Sequence, residues 1–270
     1  MATAWLGTDL VFIINALGYL LSAWFIYKAV IPQKMMSDAE LKRTRNPLTG
    51  IKEGFRYLFD NHQVLRPTLA KGCFTMLLGG LTYMLILVSE EVLMMGSIGL
   101  GLLYSARGVG TGIGPVIGRR IFNRERDWVR AMGLCMMFCG MMYSIVGMTT
   151  SLGIMLLFVF IAHSASGANW VMSTVLLQRR TPDTFRGRIF STEWLLFTLT
   201  QSASVMTASW ILENDWLTIQ QTMMVYAFFL VVAGVGWHLT VARKEETYQQ
   251  SREEQNREEE LVAAQAAERF

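Results

Sequence analysis

Hydrophobic positions along this chain come in long unbroken runs. Seven stretches, 6–27, 72–93, 97–118, 131–148, 153–177, 189–212 and 221–242, are almost wholly apolar. Each reaches or approaches the roughly 20 residues an α-helix needs to cross the hydrocarbon core of a bilayer. The pattern predicts an all-α membrane protein with about seven transmembrane helices.

The polar connections between these runs are of two chemical kinds. Residues 28–71 hold nine Lys and Arg, 119–130 hold five, 178–188 hold four and the tail from Arg243 holds five. The other kind (residues 1–8, Ser89 to Gly96, Thr149 to Leu152 and Glu213 to Gln220) contains no Lys or Arg at all. The two kinds alternate without exception. Because cytoplasmic loops of membrane proteins carry the excess of Lys and Arg, the alternation predicts an N-terminus outside and a C-terminus in the cytoplasm.

Composition fits a chain solvated by lipid. Of 270 residues, 52% are hydrophobic and only 17% are charged, and the mean hydropathy is +0.33; a soluble domain carries about a quarter charged residues. The net charge of +3 does not point to nucleic acid, because the basic residues flank apolar spans and topology accounts for them. The first apolar run lacks a basic segment before it and is long enough to span, so it does not read as a cleaved leader. Cys73, Cys135 and Cys139 all lie inside apolar runs with no His or Cys at ligand spacing. They are expected to be small buried hydrophobes, with no metal site and no cofactor.

The long basic connection has structure of its own. Asn46-Pro47 offers a helix cap followed by Pro at the first helical position. Leu48, Ile51, Phe55, Leu58 and Phe59 then recur at helical spacing, with Lys52, Glu53, Arg56 and Asp60 between them. An amphipathic helix is predicted, lying in the headgroup plane or packed on the protein. The tail 243–270 is rich in Glu, Gln and Arg and is expected to be solvated.

Three stretches resemble the major facilitator superfamily, in the branch of the enterobactin-type and macrolide-type exporters. The run Gly99 through Pro115 with Gly118-Arg119-Arg120 is similar to that family's eighth helix and the second copy of its Gly/Arg loop motif. Leu176 through Ser191, with its Arg186-Gly187-Arg188 turn, resembles the connection between the tenth and eleventh helices. Glu53 through Leu58 resembles the segment before the seventh. The resemblance implies that residues 1–27 correspond to the sixth helix, 28–71 to the cytoplasmic linker, 72–242 to the six-helix C-terminal bundle and 243–270 to a cytoplasmic tail. It implies a secondary-active exporter of small molecules in a bacterial inner membrane, with proton coupling and rocking alternating access. The family's first five helices have no counterpart here, so the expectation is a truncated product or one needing a separate N-terminal half or self-association.

Several residues inside the runs are candidates for chemistry. Arg107 stands about 15 Å from either end of its run at 1.5 Å per residue. Arg at mid-bilayer costs about 2.5–3.5 kcal/mol on insertion scales, so it is expected to face a water-filled cavity or a carboxylate. Glu193 is the one acid well inside a later run; it is placed to reach Arg107 or the cytoplasmic Arg cluster. His163 has the titration range of a proton relay, with a neutral, hydrogen-bonded histidine as the alternative. Asn169 and Gln201 are read as cavity-lining residues or as interhelical hydrogen bonders. Gly108/Gly112 and Gly110/Gly114 are i, i+4 pairs suited to close helix packing. A dinucleotide loop is rejected for that run, since no strand precedes it. Arg119, Arg120, Arg186, Gly187 and Arg188 are expected to set topology and, by the resemblance, to form a cytoplasmic gate. The substrate is not legible.

Two other classes fit less well. A seven-helix photoreceptor needs a Lys in its last span, and 221–242 has none. A membrane-embedded enzyme needs His-Glu-x-x-His, paired carboxylates or a Ser/His/Asp set, and the sequence offers no such arrangement, so no catalytic residue is assigned. An inactive truncated membrane protein remains the alternative to a working transporter.

Overall fold

The structure is a computed structural model that describes residues 8–29, 47–249 and 251. The first residues of the first predicted span, the cap residue Asn46 and the tail beyond Gln249, apart from Ser251, lie outside the described residues. Among those described, the ordered elements are all helical. They are α1 (Thr8–Lys28), α2 (Pro47–Asp60), α3 (His62–Leu87), α4 (Gly96–Ile121), α5 (Trp128–Met148), α6 (Leu152–Arg180), α7 (Asp183–Glu213) and α8 (Ile219–Trp237). π-helical turns at Val88–Val92 and His238–Ala242 extend α3 and α8.

Each predicted span is a helix, but two begin earlier than hydropathy suggests. α3 starts at His62 and α7 at Asp183, because intrahelical hydrogen bonds continue past the charges that end an apolar window. Among the described residues, five helices are long and apolar enough to cross a membrane: His62–Val92, Glu125–Met148, Leu152–Arg180, Asp183–Glu213 and Ile219–Gln249. Phe12–Lys28 of α1 is a shorter apolar helix. α4 falls short in composition only: its 26 residues reach about 39 Å, but glycines and Arg107 lower its hydropathy.

Local signals set the turns. Thr218 caps α8 with a capping box: its hydroxyl accepts from the Gln221 backbone N–H at 3.2 Å, and the Gln221 side chain accepts from the Thr218 N–H at 3.0 Å. Pro182 stands at the start of α7, where its missing N–H costs nothing. Asp215, at φ 54°, turns the chain between α7 and α8, and Trp210 meets Trp216 there with ring centroids 4.5 Å apart. Paired Trp residues at a helix end suit the interfacial zone of a bilayer.

The packing repeats itself. α4 lies along α6 and α7 lies along α3; α5 meets α6 as α8 meets α3; and α5 and α8 pack on each other. Exchanging α3, α4 and α5 for α6, α7 and α8 therefore maps the main contacts onto one another, as in a bundle of two three-helix units. A continuous core of Phe74, Leu81, Met84, Met132, Met136, Tyr143, Met155 and Leu176 fills the centre. α1 stands apart, with every described side chain from Phe12 onward exposed.

α2 is docked on the protein by one side. Leu58 is buried with Val64, Leu177 and Ile189, Tyr57 stacks on Phe185 at 4.4 Å, and Glu53 pairs with Arg188 at 2.8 Å. Ile51 and Phe59 on its other side remain exposed, so the helix packs on the protein by one face and leaves the other uncovered.

Candidate functional site

Burying an ionised group without a partner costs several kcal/mol, so charged side chains inside the bundle show where the fold tolerates that cost. Two buried polar clusters stand out, each joining helices of both three-helix units.

The first joins α3, α6 and α7. Lys71 is the tenth residue of α3 and Glu193 the eleventh of α7, so both lie about 15 Å from the same end of the bundle. Lys71 is 3% exposed and Glu193 6%, and Lys71 Nζ stands 2.6 Å from Glu193 Oε1. The ammonium also donates to Thr174 Oγ1 at 2.7 Å and sits 4.3 Å from the Trp170 ring centroid. Trp170 meets Trp194 and Phe197 in turn, at 6.5 and 5.2 Å. Farther along the seam, Thr75 and Thr200 hydroxyls lie 3.3 Å apart, and Ser204 Oγ accepts from the Gly80 N–H at 2.8 Å.

This corrects the expectation for Glu193, which pairs neither with Arg107 nor with the surface Arg cluster. Lys71 was the residue missing from the sequence reading. It sits one position before an apolar run and was counted with the basic loop, whereas the helix has already been running for nine residues. Pro67 stands between His62 and the run, yet the helix continues through it.

The second cluster gathers on α4, α5 and α6. Arg107 is half-buried and lies over the Tyr104 ring at 5.1 Å. Among the described residues no carboxylate is within ion-pair distance of it. Its neighbours are Tyr143 and His163, both fully buried and within its electrostatic reach. Tyr143 Oη and His163 Nε2 are hydrogen-bonded at 2.8 Å. Of the two expectations for Arg107, the carboxylate partner is thus not met; the Tyr104 ring lies against it instead.

The remaining candidates separate. Asn169 is buried and its Oδ1 has no hydrogen-bond partner among the described residues. Gln201 lies against Gly79 and lines an open depression of about 380 Å³ with Thr198, Ser202, Val205 and Met206. The glycine pairs of α4 behave oppositely. A Cβ at Gly110 or Gly114 would strike the carbonyl oxygens of Phe160 and Ser164 on α6, whereas Gly108 and Gly112 face open space. Only the first pair packs a neighbouring helix, which corrects the packing role expected for both.

The basic end of the bundle is laced by ion pairs. Glu245, only 2% exposed, binds Arg66 of α3 and Arg180 of α6, the latter at 2.6 Å. The first residues of the tail therefore belong to the packed structure, contrary to the solvated extension expected; Glu-rich composition concealed this. Arg179 pairs with Glu125, Arg130 with Glu246 at 3.5 Å, and Arg186 with Asp183 at 2.8 Å. Arg188 pairs with Glu53 as described, and Gly187 between these two arginines has open space around it. Arg119 and Arg120 are exposed and have no ion pair among the described residues, so the structure does not join them to the Arg186 and Arg188 turn.

Long apolar helices, charges collected at one end and buried charges between helices define a multi-pass all-α membrane protein. A family model described as Major Facilitator Superfamily matches residues 1–204, and the chain belongs to that superfamily of membrane transporters. No curated protein and no solved structure gives a significant match.

Proposed function

We propose that the chain is the C-terminal six-helix bundle, with one preceding helix, of a secondary-active exporter of small molecules, working by alternating access and coupled to protons. Its setting is a bacterial inner membrane with the basic end in the cytoplasm, and its branch is that of the enterobactin-type and macrolide-type exporters, as the Gly/Arg stretches suggest.

The observation that carries this reading is the exposure of α7. Only five of its 31 residues are buried, Ile189, Thr192, Glu193, Ser204 and Ala208. Its uncovered side carries Thr198, Gln201 and Ser202 among apolar residues. Polar groups on lipid-facing backbone are costly, so this face calls for water and an opposing wall, with a solute between. A second six-helix bundle, or a second copy of this chain, supplies that wall. Arg107, with no carboxylate at ion-pair distance among the described residues, is placed to meet an anionic group of the solute or to bias the Tyr143–His163 pair during coupling. Arg186 and Arg188 work as the gate at the basic end.

Reconstitution tests it. In proteoliposomes of the assembled transporter, Arg107→Ala is expected to abolish efflux with membrane insertion unchanged. Normal efflux by that variant would leave Arg107 a structural residue and remove the coupling role given to it.

A further inference from the structure

The Lys71–Glu193 pair is built unlike an ordinary structural ion pair. The ammonium has three partners at once, the Glu193 carboxylate at 2.6 Å, the Thr174 hydroxyl at 2.7 Å and the Trp170 ring at 4.3 Å. A carboxylate with aromatic rings beside it is the chemistry that recognises a cation. The rings continue outward from Lys71. Trp170 meets Phe197 and Trp194 edge-on, and the last two are 5.2 Å apart and tilted by 31°. Trp194 is 60% exposed on the uncovered side of α7, so an unbroken aromatic path leads from the open face to the buried carboxylate.

We infer that Glu193 with Trp170, Trp194 and Phe197 is a binding site for a hydrophobic organic cation, and that Lys71 is a resident competitor which the ligand displaces. The inference rests on the transport reading for its purpose, since the α3–α7 seam borders the face assigned to the solute. The ligand's positive charge replaces the ammonium against Glu193 and Trp170, so the buried carboxylate is never left unmatched. Lys71 has a flexible four-carbon stem that can carry its charge toward the basic end. A small inorganic cation is a poor fit, because one carboxylate and one hydroxyl leave most of its coordination unmet. An anion is a poor fit because binding Lys71 would expose Glu193 to it.

Equilibrium binding of tetraphenylphosphonium to the purified full chain in detergent tests the idea. Removing the competitor by Lys71→Gln is expected to tighten binding about tenfold or more, and Trp194→Leu to weaken it about fivefold or more. The double variant Lys71→Gln/Glu193→Gln, which buries no charge, is expected to lose the gain. Unchanged or weaker binding by folded Lys71→Gln overturns the inference. If that variant does not fold, the exposed Trp194→Leu decides, and unchanged affinity there overturns it equally. Efflux from proteoliposomes is read separately. Efflux of any solute without these binding changes leaves the transporter standing and removes the Lys71 site, whereas these binding changes without efflux do the reverse.

Discussion

The seam between α3 and α7 and the seam between α4 and α6 map onto each other when the two three-helix units are exchanged, yet they are built from opposite materials. The α4–α6 seam is tight. Gly110 and Gly114 lie against the carbonyls of Phe160 and Ser164, Gly118 lies against Ala168, and Gly167 returns the contact to Thr111. Such small-residue contacts let helix backbones approach closely and gain dispersion energy that lipid cannot match. The α3–α7 seam is polar, with Lys71–Glu193, Thr75–Thr200 and Gly80–Ser204 in sequence along it. Backbone carbonyls locked together by missing side chains have one arrangement. Side chains joined by ion pairs and hydroxyls have several, and they can exchange partners with a solute. The comparison assigns rigidity to one seam and binding to its counterpart.

The largest expected effect breaks the polar seam. Glu193→Ala leaves Lys71 buried and unpaired and is expected to cost about 3–5 kcal/mol, read as a lowered thermal unfolding midpoint in detergent. The double variant Lys71→Met/Glu193→Leu is expected to recover most of that loss. A midpoint unchanged in the single variant would mean that the pair is not buried as described.

The glycine seam gives the next effect and a contrast of sign. Gly114→Ala forces a Cβ onto a backbone carbonyl and is expected to cost about 1–3 kcal/mol. Gly112→Ala, on the open side of the same helix, is expected to stabilise by up to about 1 kcal/mol through helix propensity. Equal losses at both positions would show that α4 is rotated relative to α6. Smaller again is Tyr143→Phe, which removes the hydroxyl bonded to His163 and leaves a buried ring nitrogen unsatisfied, at about 1–2 kcal/mol. A gain in stability there would make the Tyr143–His163 bond a functional rather than a stabilising contact.

The fold was largely legible because lipid imposes a coarse code, in which a long apolar run is a helix. What failed were the places where helix and apolar run part company. Lys71 falls inside α3 but outside its hydrophobic window, and Glu245 falls inside a helical continuation that composition assigned to solvent. Helix rotation was not legible either. Both glycine pairs on α4 have the right spacing, and only contact with α6 distinguishes Gly110/Gly114 from Gly108/Gly112. Arg107 was found because a lone cation far from either helix end is conspicuous in any hydropathy profile. Its neighbours Tyr143 and His163 come from other helices, and one sequence carries no register between helices.

The division of labour between the seams is tested most directly by thiol labelling in bilayers. In a variant with Cys73, Cys135 and Cys139 replaced, a single cysteine at Gln201, on the uncovered side of α7, is expected to react with a water-soluble, membrane-impermeant thiol reagent in proteoliposomes. A single cysteine at Phe228, exposed on α8 among apolar residues, is expected to remain unlabelled. Labelling at Phe228 with none at Gln201 would place lipid where this account puts the solute path.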